Sequence, residues 1–176
     1  IDEVQAGFGR TGKHWFGIEH WSVEPDIMVM AKGIANGAPV GATITTDEIA
    51  HAWKGKTLST FGGTPVSMAA LCATQDVLQE ESAPANAFAR GEELRAGMID
   101  IQERHPWVGD VRGMGLMQAM EIVKDPETKE PDTERTAALL AATRDEGLLV
   151  GQGGLNGTVI RIGPSMLITA DEIAEG

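Results

Sequence analysis

Pro25-Asp26-Ile27-Met28-Val29-Met30-Ala31-Lys32-Gly33 is a short apolar run that opens after a proline and closes on a lysine and a glycine. Its length and its Ile/Val content suit a buried strand. The Lys32 amine then emerges at the strand's carboxyl edge, where open α/β sheets place their chemistry. Upstream, Ile1-Asp2-Glu3-Val4-Gln5 is a second strand candidate with a carboxylate in a similar setting. If the two strands are parallel neighbours, Asp2 and Lys32 open into the same crevice. A strand-end lysine is ordinarily solvated surface, and so is an acid. What lifts these two is the pattern around them.

Working outward, residues 1 to about 82 alternate short apolar runs with glycine-rich turns, as in a strand-rich part of an α/β sheet. Further strand candidates are 41–45 and a short 57–60. Thr64-Pro65 offers a polar N-cap with proline at the first helical position. Met68, Leu71, Cys72, Gln75 and Leu78 continue at helical spacing, with an end expected near Glu81. Pro84 opens a second helix whose stripe is Phe88, Gly91, Leu94, Met98 and Ile101, closing before His105-Pro106. From Trp107 onward the pattern becomes α+β: strands at 108–112 and 116–123, a polar loop over 124–132, a helix from about Thr133 to Glu146, and strands at 148–151 and 159–162. The expected division is 1–82, a bridging helix over 83–105, and 106–176. No internal repeat or low-complexity tract interrupts it.

Composition narrows the function classes. In 176 residues, 42% apolar, there is material for a core. The net charge of −12 carries no Lys/Arg cluster, so neither nucleic acid nor an anionic membrane is an expected partner. Small molecules or protein are. No 18-residue apolar span and no signal peptide is present. The single cysteine, Cys72, points to a reducing intracellular compartment, cytoplasmic with a mitochondrial setting left open. The four histidines, His14, His20, His51 and His105, lack ligand spacing, so no metal is expected. Trp15, Trp21, Trp53 and Trp107 read as core or interface residues, and the eight methionines as packing.

An acid facing a desolvated amine is the arrangement that holds pyridoxal phosphate: a Schiff-base lysine, and an aspartate partnering the pyridinium nitrogen. Three blocks, Asp2-Glu3-Val4-Gln5-Ala6-Gly7-Phe8-Gly9-Arg10-Thr11-Gly12, then residues 26–33, then Ser59-Thr60-Phe61-Gly62-Gly63-Thr64-Pro65, stand in an order and spacing that resemble the class III (ω-amino acid type) aminotransferases. The resemblance runs the length of the chain. Within that family, Gly151-Gln152-Gly153-Gly154 and Val159-Ile160-Arg161-Ile162 are most similar to the alanine–glyoxylate or β-alanine–pyruvate group. It implies part of the large domain of fold-type I pyridoxal phosphate-dependent transferases, an α/β fold, followed by a small α+β domain. It also implies pyridoxal 5'-phosphate as cofactor, an amino acid and an oxo acid such as pyruvate or glyoxylate as substrates, and a homodimer. Aminomutase or decarboxylase chemistry on the same constellation, or a non-catalytic fragment, are the alternatives.

By the same resemblance, Lys32 links the cofactor and moves the proton as general acid and base. A lysine in that role needs its pKa depressed, and the apolar approach of Ile27 to Ala31 is expected to do so. Asp2 keeps the ring nitrogen protonated, Val4 lies at the ring face and Gln5 at the ring hydroxyl. Thr60 binds the cofactor phosphate of the neighbouring subunit, in a turn whose glycines admit a close ligand. Arg161 grips the substrate carboxylate with its two-pronged guanidinium. Two departures are visible: Thr64 where the family usually has asparagine, and Ser165-Met166 where it has a second proline and an apolar residue.

Two further readings complete the sequence. Gly7-Phe8-Gly9-Arg10-Thr11-Gly12-Lys13-His14 has the glycines and lysine of a phosphate-binding P-loop, but His14 replaces the magnesium-binding hydroxyl and no clear helix follows. Nucleotide binding is therefore not expected. The chain opens within a strand-like segment, and Thr169 with Glu172 forms a capping box only a few residues from its end. So short a helix does not offset its nucleation cost. The expectation is an internal piece of a longer polypeptide whose upstream part holds the phosphate loop and the aromatic stacked on the ring.

Overall fold

The computed structural model describes residues 1–176. Its contacts divide the chain into two compact units, Ile1–Ala85 and Asn86–Gly176.

In the first unit, β1 (Ile27–Met30) pairs antiparallel with β2 (Ala42–Thr45). The amino-terminal segment adds a single parallel bridge, Asp2 to Val29, with Glu3 N–H donating to the Val29 carbonyl at 2.9 Å and Val29 N–H to the Ile1 carbonyl at 3.0 Å. The expected strand over 1–5 is cut to this bridge. Asp2 Oδ1 accepts from Val4 N–H at 2.9 Å, an Asx-type capture that turns the chain out of the extended conformation. A 3₁₀ helix, Gly17–Trp21, follows the turn-rich 4–16 segment, and a second, Lys32–Ala35, follows β1 directly.

Helix α1 (Asp47–Ala52) has no buried residue, and so left no apolar period in the sequence. It is carried by its cap: Thr46 accepts from Ile49 N–H, and Asp47 and Glu48 stand in the first turn. The strand expected at 57–60 does not form. Residues 51–63 are all exposed, so no face there is buried against a partner strand. Helix α2 (Pro65–Glu80) starts at its proline as expected. Thr64, however, donates its hydroxyl to the Phe61 carbonyl at 2.7 Å instead of capping.

Ser82, at φ +51°, breaks the chain between α2 and α3 (Ala83–Arg104). The second unit is an antiparallel sheet in the order β3-β4-β6-β5, formed by β3 (Val108–Met114), β4 (Met117–Ile122), β5 (Gly151–Gly153) and β6 (Val159–Ile162). Met98 of α3 joins Val108, Val111, Met120, Ile122 and Ile160 in its core, with Leu139 and Leu140 of α4 (Thr133–Asp145) against them. Each such fully buried apolar side chain contributes roughly 1.5–3 kcal/mol. Gly91 on the predicted stripe of α3 faces the β3–β4 turn, where a Cβ would lie 2.3 Å from the Gly115 carbonyl oxygen. Asp132 caps α4 by accepting from Arg135 N–H at 2.9 Å.

The strand expected at 148–151 begins later. Gly147, at φ +88°, closes α4, and Leu148 N–H is engaged by the Thr143 carbonyl at 2.8 Å, so Leu148 belongs to the helix end. Helix α5 (Ala170–Glu175) does form: Thr169 Oγ1 accepts from Glu172 N–H, and the Glu172 carboxylate accepts from Thr169 N–H at 2.8 Å. Of the tryptophans, half-buried Trp107 packs against the core of the second unit, while Trp15, Trp21 and Trp53 are exposed. No helix is long and apolar enough to cross a membrane.

Candidate active site

β1 delivers Lys32. Met30 at its end is buried, and the 3₁₀ turn that begins at Lys32 is anchored by buried Ile34 and Ala35. Helix α2 holds this turn from behind, with Gln75 Nε2 donating to the Ile34 carbonyl at 2.8 Å. Lys32 itself adopts φ +48°, a left-handed conformation unusual for a residue with a side chain. Such a conformation costs of order 1–3 kcal/mol and persists only where its surroundings dictate it, a condition that clusters at functional sites. The next residue, Gly33, abuts the ring of buried Phe8, whose Cδ2 would lie 4.0 Å from a Cβ placed there.

Asp2 is brought alongside by the parallel bridge to Val29, three residues before Lys32. The carboxylate and the amine thus belong to neighbouring segments, as adjacent strands demand. Their burial differs from the expectation. Both residues are exposed, and Ile27 is 44% exposed. β1 is paired along its length with β2 on one edge and met only by a single-residue bridge on the other, and Lys32 beyond its end is exposed.

Val4 and Gln5 fall in the turn that follows Asp2, Val4 half-buried and Gln5 exposed. The residue that organises this turn is one the sequence reading passed over. Glu3 is 2% exposed, and its carboxylate accepts from Gly17 N–H at 2.9 Å and Ile18 N–H at 2.7 Å, capping the first 3₁₀ helix. That helix closes the 4–16 loop back onto the segment that carries Asp2. No local signal reveals it, since the contacts span 14 and 15 residues. Gly17 is required there because a Cβ would meet Ala6 Cβ at 2.8 Å.

The P-loop-like stretch is a string of turns with Phe8, Gly9, Gly12 and Lys13 at positive φ, and no α-helix follows it. Burial lowers the Arg10 guanidinium pKa from its ordinary value. His14 and His20 meet edge to face at 4.8 Å, with His20 Nε2 3.1 Å from Thr11 Oγ1. No group of three or more His, Cys, Asp or Glu side chains is placed to hold a metal ion.

Thr60 stands on an exposed turn in which Gly62 N–H donates to the Ser59 carbonyl and Thr64 N–H to the Phe61 carbonyl, both at 3.3 Å. Gly63 takes φ +71°. Arg161 belongs to the second unit. It lies mid-way along β6, opposite Ala119 of β4 and Gly151 of β5. Its neighbour Ile160 is buried in the core, while Arg161 is on the exposed face. An arginine fixed on a sheet in this way has its backbone position set by two ladders, which suits recognition of a carboxylate.

The comparison with known proteins decides the family. The model of the aminotransferase class-III family matches residues 1–176. The chain belongs to the class III aminotransferases. It is 43% identical over 172 residues to alanine–glyoxylate aminotransferase 2 homolog 2, mitochondrial, of Arabidopsis thaliana, covering 97% of this chain and 36% of that protein. It is 37% identical over 190 residues to taurine–pyruvate aminotransferase of Bilophila wadsworthia, covering 99% of this chain and 41% of the relative. A crystal structure of a Bacillus anthracis aminotransferase superimposes with a TM-score of 0.92 at 36% identity, over 98% of this chain and 41% of that one. The chain therefore spans about two fifths of the length of the relatives it matches. Class III aminotransferases depend on pyridoxal phosphate, and the mixed helix and strand architecture is that of fold-type I. The residues present fit that group in kind: an acid and an amine on neighbouring segments, with the amine at a strand end in a constrained backbone conformation.

Proposed function

We propose that this chain carries the lysine, the acid and the carboxylate-binding arginine of a transaminase that passes an amino group from an amino acid to an oxo acid, pyruvate or glyoxylate. The observation that carries the reading is the bridge from Asp2 to Val29 with Lys32 in a left-handed conformation just beyond it. When bound, pyridoxal phosphate supplies an electron sink for the bond-breaking step. Asp2 would hold a proton on the ring nitrogen through a charge-assisted hydrogen bond. Val4 and Gln5, in the turn after Asp2, would hold the ring at its face and at its hydroxyl. Lys32 would tether the cofactor and take up or release a proton at Nζ, and Glu3 keeps the turn that bears Val4 and Gln5 in place. Arg161 receives the substrate carboxylate.

The partner reading follows from the same assignment. Thr60 reaches the cofactor phosphate of a second copy, which makes the enzyme a homodimer, and the exposure of the Thr60 turn leaves it open to such a contact. Residues 1–82 act as part of the large cofactor-binding domain, 83–105 as the connecting helix and 106–176 as the small domain. A reducing intracellular setting, cytoplasmic or mitochondrial, fits a chain whose single cysteine is Cys72 on α2.

The test is a half-reaction. The holoenzyme containing this chain is mixed with alanine, β-alanine or ornithine in turn, without acceptor, and the cofactor absorbance is followed. Transamination predicts stoichiometric loss of the lysine-bound cofactor band with release of the matching oxo acid, and recovery of the band on adding pyruvate or glyoxylate. Carbon dioxide release in place of an oxo acid, or isomerisation of the amino acid with the band unchanged, identifies a decarboxylase or an aminomutase and refutes the proposal.

A further inference from the structure

Glycine inside a strand weakens it unless something must approach closely. Of the glycines at the β5–β6 hairpin, Gly154 (φ +80°) and Gly157 (φ +66°) are explained by the turn itself, closed by Gly157 N–H on the Gly154 carbonyl at 3.2 Å. Gln152 ties this turn down from within β5, donating from Nε2 to the Gly157 carbonyl at 2.7 Å. Gly153 has no such explanation, because its φ lies outside the left-handed region and its backbone would accept an alanine. What a side chain there would meet is Arg161: Cδ at 2.8 Å, Cγ at 3.6 Å and Nε at 3.9 Å. Residues 153 and 161 are diagonal neighbours across the ladder, since Gly153 pairs with Val159 and Gly151 with Arg161. The arginine stem thus lies over the place where a residue-153 side chain would stand. At Gly151, by contrast, a Cβ would be 3.6 Å from Arg161 Cβ, an ordinary contact.

We infer that Gly153 is a positioning residue: the missing side chain forms the groove in which the Arg161 stem lies, and so sets where the guanidinium meets a carboxylate. This rests on the reading of Arg161 as the carboxylate-binding residue. A Cβ at 153 collides with the flexible part of a side chain and not with backbone, so the result is a displaced guanidinium within an intact fold. Displacement of a binding group by about 1 Å is worth up to roughly a hundredfold in rate.

The test uses the holoenzyme containing this chain, with pyruvate and the carboxylate-free acceptor butanal compared in Gly153→Ala, Gly151→Ala and Arg161→Gln, and with the dissociation constant of propionate measured directly. The expected result for Gly153→Ala is a loss of about tenfold to a hundredfold in kcat/KM for pyruvate, borne mainly by KM, a matching loss of propionate affinity, and butanal unchanged. Gly151→Ala should match the parent in all three readouts. If Arg161→Gln loses pyruvate and propionate while Gly153→Ala keeps both, the groove is refuted and the Arg161 reading stands. If Arg161→Gln keeps both, the Arg161 reading falls and the groove with it. Equal losses on butanal, or an equal effect of Gly151→Ala, also refute the groove. Should Gly153→Ala melt early, Gly153→Ala with Arg161→Ala decides. Recovery of the melting temperature in the double variant places the collision on Arg161, and no recovery overturns the inference.

Discussion

Removing the Glu3 carboxylate should destabilise the first unit far more than its place in a surface-like Asp-Glu pair suggests. Its two oxygens are the acceptors for Gly17 N–H at 2.9 Å and Ile18 N–H at 2.7 Å, and Gly17 is buried. In Glu3→Ala both donors lose their partner. A buried donor left unsatisfied costs about 1–3 kcal/mol, so with Ile18 half-buried and at the low end the sum is about 3 kcal/mol. Glu3→Gln keeps one acceptor oxygen and turns an amide NH2 toward the other donor, which places its loss at roughly half, about 1.5 kcal/mol. Glu19 provides the internal control. It serves the same 3₁₀ helix, accepting from Phe16 N–H at 2.7 Å, but at an exposed position. Water can replace it, so Glu19→Gln should cost only about 0.5–1 kcal/mol. Urea unfolding followed by the fluorescence of Trp15 and Trp21 reads all three. A Glu3→Ala loss under 1 kcal/mol, or a Glu19→Gln loss equal to it, would refute the assignment of Glu3 as the internal cap.

Gly91→Ala gives a case where two effects oppose. Alanine gains about 1 kcal/mol over glycine in a helix interior, but its Cβ would lie 2.3 Å from the Gly115 carbonyl oxygen and 2.6 Å from Gly115 Cα, backbone that cannot step aside. Overpacking of this kind costs about 1–3 kcal/mol, so calorimetry should find no gain and a net loss of up to about 2 kcal/mol. Gly97, with open space around it on the same helix, should gain stability from the same change. Glu172 carries a pH dependence. Its carboxyl pKa is lowered because it accepts from the Thr169 backbone N–H and hydroxyl. The cap is therefore fully present above the unfolded-state glutamate value of about 4.3 and is lost as the pH falls through the lower folded-state value. Amide exchange or chemical shifts in α5 should show it unravelling there, and Glu172→Gln should abolish that acid transition.

Much of the fold was legible because its elements carry their own signals. α2 begins at the Pro65 that marked it, α3 has the period of Leu94, Met98 and Ile101, and β3, β4 and β6 overlap the strand ranges expected at 108–112, 116–123 and 159–162. The failures have physical causes. The 1–5 segment contains strand formers, but Asp2 takes the Val4 N–H and ends the extension. At 148–151 the Leu148 N–H is used to close α4. The 57–60 run has strand-forming residues and nothing to pair with. At the candidate site, the parallel, neighbouring placement of the segments that bear Asp2 and Lys32 was legible from their strand-like runs. Their exposure was not, because burial depends on what covers a strand and not on the strand's own residues. Glu3 was invisible for a related reason: its partners are backbone groups 14 and 15 residues away, and backbone donors have no sequence signature. Gly153 was visible only as a subgroup mark, since the reason for its missing side chain is a stem on the adjoining strand.

The most direct test of the central claim is chemical trapping at one amine. The holoenzyme containing this chain is reduced with borohydride, digested, and the peptide bearing the pyridoxyl group is sequenced by mass spectrometry. The account predicts a single label on Lys32, its yield reduced in Asp2→Asn and lost in Lys32→Ala. A label on any other lysine, or a Lys32→Ala enzyme that still takes up one equivalent of reducible cofactor, would contradict it.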